Sequence, residues 1–291
     1  EEPRVLESLD DDNSEAGSTD PTAAKPGFSF RELIVTTRPL WGFFIYSVYA
    51  LAMRVGQWEA PGRWVEVVLG ALTVYLIAEA LFRKEAGKPR KEAGKIGFQK
   101  VLAAHSFTWL GIQTMFVYMF AYVQDTLPGL EDVSMGRVVS ISFLVLNAVG
   151  AILPAFVLEP ITERIGRVKT HTICIGIMTL GYAGILFAGT TPLMIYLFMA
   201  VLGVGWAATV SLPFAIMSQK VDQSKMGLYM GLFNLSVVLP QLVASLGVGE
   251  AIELAADKSL IFIICTLSLG LSTLAWTLVR ENRDFLEADS A

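Results

Sequence analysis

The chain of 291 residues is 54% hydrophobic and only 17% charged, with a mean hydropathy of +0.55. That composition is too apolar for a soluble protein of this length. The formal charge of −5 originates in the first 20 residues, which carry eight acids and one base, so the rest of the chain has a charge of +2. Cys174 and Cys265 are too few for a disulfide framework or a metal site. No basic stretch interleaved with aromatic residues, as nucleic-acid binding requires, is present.

The chain begins with a polar segment rich in Ser, Asp and Glu. Such a composition cannot bury enough apolar surface to fold, so residues 1–38 are predicted to be an acidic, disordered cytoplasmic tail or linker. The sequence has neither an initiating Met nor a signal peptide. We therefore expect it to be a piece of a longer polypeptide or one chain of a split one.

Two apolar stretches that contain charges follow the tail. Residues 40–58 include Arg54, and residues 63–82 include Glu66 and Glu79. Both are long enough to approach the thickness of a bilayer. We predict a transmembrane hairpin over residues 39–83, turned at 59–62 and followed by a basic cytoplasmic loop over 84–100.

Six further segments contain no Asp, Glu, Lys or Arg. A helix needs about 20 apolar residues to cross the hydrocarbon core, whereas a barrel would show alternating segments of about 10 residues. The sequence therefore predicts an all-α, polytopic membrane protein with eight spans, a six-helix unit over 101–280 and a cytoplasmic tail over 281–291. The six segments are 101–124, 138–158, 170–189, 192–219, 226–249 and 259–279.

The charges in the loops predict the orientation, because Lys and Arg accumulate on the cytoplasmic side. Basic residues concentrate in loops 83–100, 159–169 and 218–226 and near the C-terminus. The alternate loops, 125–137 and 250–258, are acidic. We expect a multi-pass protein of the plasma or inner membrane with both termini in the cytoplasm.

A short charged motif lies between the second and third charge-free segments. The sequence Glu163-Arg164-x-Gly166-Arg167 resembles the Asp-Arg-x-Gly-Arg signature of the major facilitator superfamily, with Glu in place of Asp. The resemblance implies that residues 101–280 are the C-terminal six-helix half of such a transporter. It also implies that the loop charges lock helices across the cytoplasmic face. The predicted conformational gate is Glu159, Glu163, Arg164, Gly166, Arg167 and Pro240.

Two more segments indicate a subfamily. The chain resembles sucrose-type and glycoside–pentoside–hexuronide sugar–proton symporters. The resemblance lies in the Pro213-Phe-Ala stretch, the spacing from Asn234-Leu to Pro240-Gln241, and the sequence from His105 to Trp109-Leu. This resemblance covers about 190 residues. Sucrose carriers often place aspartates near the outer end of the helix that corresponds to segment 101–124. This chain has Tyr118-Met-Phe-Ala-Tyr122 there.

Polar and aromatic residues recur at helical spacing in the first charge-free segment. Polar side chains in hydrocarbon usually face a bundle interior or a hydrated cavity. Sugars suit such a surface, because hydroxyl groups need amide partners and C–H faces stack on rings. Helix–helix packing with amides bonded across helices is the alternative. The stripe comprises His105, Trp109, Gln113, Phe116, Phe120 and Gln124.

Two later segments add candidate residues. Asn234, Gln241 and Ser245 share one helical face, and Pro240 frees a backbone carbonyl that needs another partner. Gln241 is either a substrate or gate residue or a structural amide of the kinked helix. Gly203 and Gly205 allow close helix approach, and Trp206 faces a cavity or packs against lipid and protein. The predicted substrate-binding set is His105, Trp109, Gln113, Phe116, Trp206, Thr209, Asn234 and Gln241.

Proton coupling requires a titratable group reached by solvent and substrate. The six charge-free segments hold no acid. His105 is a candidate proton acceptor, and the alternative is a hydrogen-bonding role, which is the commoner one for a single histidine in a membrane span. We expect the principal proton acceptor in an N-terminal six-helix half, on the same polypeptide or a separate chain. The acidic tail favours the hairpin as an insertion between halves of a fourteen-helix protein. The alternative makes it helices five and six of a twelve-helix carrier.

These observations predict secondary active transport of a sugar or glycoside, coupled to protons and working by alternating access. The alternative is a non-transporting assembly factor or sensor that keeps the fold, since fold does not guarantee function. An enzyme is not expected, because no nucleophile elbow, phosphate loop or metal cluster is present. No cofactor is expected. The predicted partners are the sugar, protons, the lipid bilayer and the N-terminal half, with no nucleic acid.

Overall fold

The computed structural model describes residues 29–58 and 62–281, and every regular element within those ranges is a helix. The all-α, polytopic fold class predicted from the sequence is confirmed. The predictions for residues 1–28, 59–61 and 282–291, which include most of both tails and most of the hairpin turn, lie outside the described residues.

The helices cover the predicted apolar segments but extend beyond some of them: one begins at Arg90, inside the predicted loop 84–100, and another at Asp132, before segment 138–158. Two of them, α5 and α9, continue through a π-helical turn, Pro154–Leu158 and Ala244–Val248 respectively, into a short helix. Short 3₁₀ turns precede α2 and α9, at Arg38–Leu40 and Gln223–Lys225. The α-helices are α1 (Phe30–Thr36), α2 (Trp41–Gly56), α3 (Trp64–Phe82), α4 (Arg90–Thr126), α5 (Asp132–Leu153), α6 (Glu159–Ile165), α7 (Arg167–Ala188), α8 (Pro192–Ser218), α9 (Met226–Val243), α10 (Gly249–Leu254) and α11 (Leu260–Thr277).

Six helical stretches of the described chain are long and apolar enough to cross a membrane: α3, α5–α6, α7, α8, α9–α10 and α11. The two remaining predicted spans differ for separate reasons. Helix α2 has 16 residues, about 24 Å at the usual helical rise. Helix α4 has 37 residues, but its amides, imidazole and indole lower its mean hydropathy. That helix is enclosed by neighbours, with continuous burial from Ile96 to Ser106.

Small residues set the spacing of the bundle around α8. A Cβ on Gly203 would lie 2.6 Å from Cβ of Val149 on α5, and one on Gly205 would lie 2.8 Å from Sδ of Met178 on α7. Both distances are below ordinary contact, so α8 approaches α5 and α7 only because these positions lack a side chain. The predicted close approach at Gly203 and Gly205 is confirmed.

The hairpin packs on the six-helix unit. Helix α2 contacts α9 and the π-helical turn after it, while α3 contacts α4. The base of the hairpin is tied by an ion pair between Arg38 Nε and Glu79 Oε2 at 2.8 Å. Glu79, a charge within an apolar helix, is therefore partnered, as intramembrane charges require.

Candidate functional site

An aromatic cluster joins three helices of the six-helix unit. The Trp109 ring of α4 and the Trp206 ring of α8 meet edge to face, with centroids 6.1 Å apart. Phe116 lies 5.3 Å from Trp206 and 5.4 Å from Phe143 of α5, again edge to face. Such T-shaped contacts are favoured by the charge distribution of the rings. Three predicted residues, Trp109, Phe116 and Trp206, are thus brought together.

Three hydrogen bonds of amide side chains border the aromatic cluster. Gln241 Nε2 of α9 donates to Gln113 Oε1 of α4 at 3.1 Å. The indole Nε1 of Trp206 donates to Asn147 Oδ1 at 3.2 Å, and Asn147 Nδ2 donates to the Phe143 carbonyl at 2.8 Å. The first bond links two helices through side chains alone, so separation of α4 and α9 at this level would break it. Gln113 and Gln241 are half-buried and Asn147 is exposed.

The polar groups of this cluster lie near the middle of their helices. Gln113, Asn147 and Trp206 are each within one residue of the centre of the charge-free segments 101–124, 138–158 and 192–219. Transporters of two repeated halves bind substrate near the bilayer midplane at the interface between repeats. The cluster therefore has the depth that a central binding site needs.

His105 lies beneath the cluster and does not line it. Its Nε2 accepts a hydrogen bond of 2.8 Å from Trp109 Nε1, and its ring stacks on Phe233 with centroids 4.8 Å apart. Trp276 closes another side at 6.4 Å. The imidazole is only 2% exposed, which differs from the prediction that it faces a cavity. The physical reason is the enclosure of this end of α4, and the role of His105 is to hold the Trp109 indole.

Thr209 and Asn234 do not join the cluster. The Thr209 side chain is 4% exposed, and its hydroxyl donates to the Gly205 carbonyl at 2.8 Å. Its hydrogen-bonding group is thus committed to its own helix, in contrast to the predicted substrate contact. Asn234 is exposed on α9 about two turns before Gln241. Phe120 and Gln124, the last residues of the stripe, are also exposed.

Phe143 and Asn147 belong to the site but were not predicted. They are four residues apart on α5, one helical turn, and Asn147 is an amide in the middle of a charge-free segment. That combination of an isolated mid-segment amide and an aromatic residue one turn earlier is the signal that could have identified them.

The predicted gate residue Pro240 lies inside α9 and is buried. The π-helical turn Ala244–Val248 begins four residues later. A second π-helical turn begins at Pro154 and ends just before Glu159. Both turns interrupt the regular bonding ladder of their helices, and such interruptions are frequent at functional sites.

The signature loop is built around a glycine with a left-handed backbone. Gly166 has φ of +93°, which strains any residue with a side chain. The carboxylate of Glu281 approaches this turn, and a Cβ on Gly166 would lie 2.8 Å from Glu281 Oε2. Glu159, Glu163, Arg164 and Arg167 are exposed around it, available to groups outside the six-helix unit.

Comparisons with known proteins agree with this architecture. The family model described as Major Facilitator Superfamily matches residues 39–245, which include the hairpin and most of the six-helix unit. No curated protein matches the chain. The match covers more than half of the chain, and the described helices have the lengths and apolarity of a multi-pass membrane protein. The chain belongs to the major facilitator superfamily, a family of membrane transporters.

Proposed function

We propose that this chain is the C-terminal half of a secondary carrier for a sugar or glycoside, which works by alternating access against an N-terminal six-helix half. The observation that carries the proposal is the mid-depth cluster of Trp109, Phe116 and Trp206 bordered by the Gln113–Gln241 amide pair. Rings offer flat apolar surfaces to sugar C–H faces, and amides offer both donors and acceptors to hydroxyl groups.

The two amides of the pair can also exchange the bond between them for bonds to a ligand. Gln241 Nε2 donates to Gln113 Oε1, so the two amides bond to each other across α4 and α9. A hydroxyl group inserted between them can replace that bond with two others, so neither amide is left unpaired. An unpaired amide in a site sealed from water would cost about 1–3 kcal/mol. The site therefore binds a ligand that carries this hydroxyl group more tightly than one that lacks it.

In this proposal, transport of the sugar is coupled to protons. The charge-free segments hold no carboxylate, and His105 is enclosed by Trp109, Phe233 and Trp276. The proton-accepting carboxylate then belongs to the N-terminal half. The gate residues Glu159, Glu163, Arg164 and Arg167 are exposed at one end of the unit, where they can pair with that half.

The test is uptake of radiolabelled disaccharides by the complete protein in proteoliposomes with an imposed pH gradient. Gradient-driven uptake supports symport, and uptake that ignores the gradient contradicts it. Trp206→Ala and Gln241→Ala should each raise the apparent KM about tenfold or more, the equivalent of about 1.4 kcal/mol. Gln124→Ala, an exposed amide at the end of α4, is the matched control and should leave KM unchanged.

The second candidate is a non-transporting sensor or assembly factor with the same fold. The absence of acids from the charge-free segments favours it. A sensor would bind a disaccharide without moving it, so binding to the purified protein combined with no uptake in proteoliposomes would support this candidate over the carrier.

A further inference from the structure

A second cleft lies between the hairpin and the six-helix unit, and none of its lining residues belongs to the aromatic cluster. Its volume is about 800 Å³, and its walls come from α2, the start of α3, α4, the π-helical turn after α9, and α10. It sits at the end of the bundle marked by the acidic loop 250–258. Four rings and five charged side chains line it: Tyr46, Tyr49, Tyr118 and Trp58, with Arg54, Glu66, Glu250, Glu253 and Lys258.

The π-helical turn shapes one wall of this cleft. The Tyr118 hydroxyl donates to the carbonyls of Ala244 and Ser245, at 3.2 and 3.4 Å, within that turn. The Tyr46 hydroxyl lies directly against Gly247, where a side chain would collide with it. Two tyrosines from different helices are therefore seated on backbone that the π-helical turn exposes. Such turns occur often at functional sites.

Several polar groups of the cleft are not used by the protein itself. The Tyr49 ring lines the cleft, whereas its Oη is shielded from solvent and is not a contact for a ligand there. The Arg54 guanidinium and the Glu66 and Glu250 carboxylates are in none of the ion pairs of the described residues. Arg54 and Glu250 are exposed and Glu66 is half-buried, so these charged donors and acceptors are open to a polar ligand in the cleft.

Lys258 is the exception, because its ammonium group is committed. It donates to the carbonyls of Ile252 at 2.7 Å and Ala255 at 2.8 Å, which terminates α10. The charges left for a ligand are then one guanidinium and three carboxylates. This set supplies donors and acceptors together, with an excess of acceptors, and repels anions.

We propose that this cleft binds a neutral saccharide, as a second site distinct from the one between Gln113 and Gln241; the identity of the ligand rests on the proposed function. Carboxylates and a guanidinium pair with hydroxyl groups, and the tyrosine and tryptophan rings stack on sugar C–H faces. Ser245 lines the cleft one turn beyond Gln241. A sugar held there is next to the central site and can be handed on to it.

The experiment follows Trp58, whose ring lines the cleft. Sucrose, maltose, lactose and trehalose are titrated in turn into the complete protein in nanodiscs. The tryptophan emission of the parent is compared with that of Trp58→Phe. Both proteins carry Gln113→Ala and Gln241→Ala to weaken the central site. We expect at least one disaccharide to give a saturable change that Trp58→Phe removes.

Variants of the cleft then test the assignment. Arg54→Gln and Glu250→Gln should each raise the dissociation constant about tenfold. Glu131→Gln, an exposed acid on the same side of the bundle that does not line the cleft, should not change it. Choline is the cationic comparison and gluconate the anionic one. Binding of choline in preference to every disaccharide overturns the proposal.

The absence of a Trp58-dependent signal with all four disaccharides also overturns this inference and leaves the proposed central site unaffected. The proposed central site fails by a different result, namely normal disaccharide uptake by the Gln113→Ala/Gln241→Ala protein, and the carrier function fails if the parent protein takes up no disaccharide. Size-exclusion profiles and helical circular dichroism establish that each variant is folded. Gln113 and Gln241 bond to each other, so their joint replacement leaves neither amide unpaired, and we expect every variant to fold.

Discussion

Glu281, which follows the last helix α11, is hydrogen-bonded to Val168 at the beginning of α7, the third helix of the unit. One carboxylate oxygen of Glu281 accepts a hydrogen bond of 2.7 Å from the Val168 backbone N–H, and the other accepts one of 3.2 Å from Arg167. The first N–H groups of a helix have no partner inside it, and the positive end of the helix dipole favours an anion there. A residue 113 positions away thus caps α7 at the signature loop.

The first prediction is that Glu281→Ala lowers the free energy of unfolding by about 1 kcal/mol, the usual value for a lost cap. Glu281→Gln should lose less, because its amide oxygen still accepts one bond without the charge. Thermal unfolding of the complete protein in detergent, followed by circular dichroism, measures both. Glu163→Gln alters an exposed acid of the same loop and serves as control. Equal melting temperatures for Glu281→Ala and this control would contradict the assignment.

Two ion pairs of the described residues differ in how deeply they are buried. Glu85 Oε1 and Lys100 Nζ lie 2.8 Å apart with side chains 10% and 7% exposed. Glu92 and Lys88 form a pair of 3.0 Å with both side chains 46% exposed. Removal of one partner from a buried pair leaves a charge in a poorly hydrated place, whereas an exposed partner is solvated by water.

We therefore expect Glu85→Ala to cost about 3–5 kcal/mol and Glu92→Ala less than about 1 kcal/mol of unfolding free energy. The double variant Glu85→Met/Lys100→Met should recover part of the loss, since the Lys100 ammonium is removed with its partner while the nearby buried Lys220 loses the Glu85 carboxylate. Denaturant titration in mixed micelles gives all three values. A double variant no more stable than Glu85→Ala would mean that packing around Glu85, not the stranded ammonium, sets the cost.

The sequence predicted the fold well because the bilayer imposes a simple rule on it. Charge-free segments of about 20 residues must be helices, so the helices could be placed in order. The start of α4 was misplaced, at 101 instead of Arg90, because a helix can continue through charged residues outside the hydrocarbon. The π-helical turns and the Glu281 cap were not predictable. A π-helical turn depends on local bonding that composition does not encode, and the cap joins residues far apart in the chain. The choice between twelve and fourteen helices stays a prediction.

The candidate site was predictable in part. The periodicity of α4 identified Trp109, Gln113 and Phe116 because these residues share the face toward α8 and α9. The same periodicity misplaced His105, since neighbouring helices enclose α4 on all sides at that end, and a stripe there carries no information on exposure. Phe143 and Asn147 were missed because a single amide on α5 does not form a periodic pattern.

The third prediction concerns the glycine on which Trp206 rests. A Cβ on Gly150 of α5 would lie 2.5 Å from Trp206 Cδ1. Gly150→Ala must therefore displace the indole from Asn147 and Phe116. Gly136→Ala, on the same helix, adds a methyl group where nothing lies within 4 Å. It should stabilise the helix by about 0.5–1 kcal/mol, because alanine is the better helix former.

Disaccharide uptake and unfolding separate the two glycine variants. Gly150→Ala should raise the apparent KM about tenfold, and Gly136→Ala should leave it unchanged while raising the melting temperature. If Gly150→Ala transports with the parental KM, the position of the Trp206 ring does not determine sugar affinity, and the ring must be removed from the proposed site.

The last prediction is a pH dependence that originates in Lys220. This side chain is 9% exposed, and its ammonium donates to the Arg280 carbonyl at 2.6 Å. Burial lowers the pKa of Lys220 below its ordinary value of 10.5, and the nearby Glu85 carboxylate opposes that shift without cancelling it. In the pH range between the folded and the unfolded pKa, the unfolded chain binds more protons than the folded one.

Stability contributed by this site must therefore rise with pH up to 10.5. The slope cannot exceed about 1.4 kcal/mol per pH unit, the value for one proton. Lys220→Met removes the titrating group, so the free energy of unfolding of the parent minus that of Lys220→Met should increase as pH rises toward 10.5. Lys220→Arg keeps its charge throughout this range and should show no such increase over Lys220→Met. A difference that falls with pH would mean that Lys220 is stabilised as the ammonium by Glu85 and Arg280, and that burial is not the dominant effect.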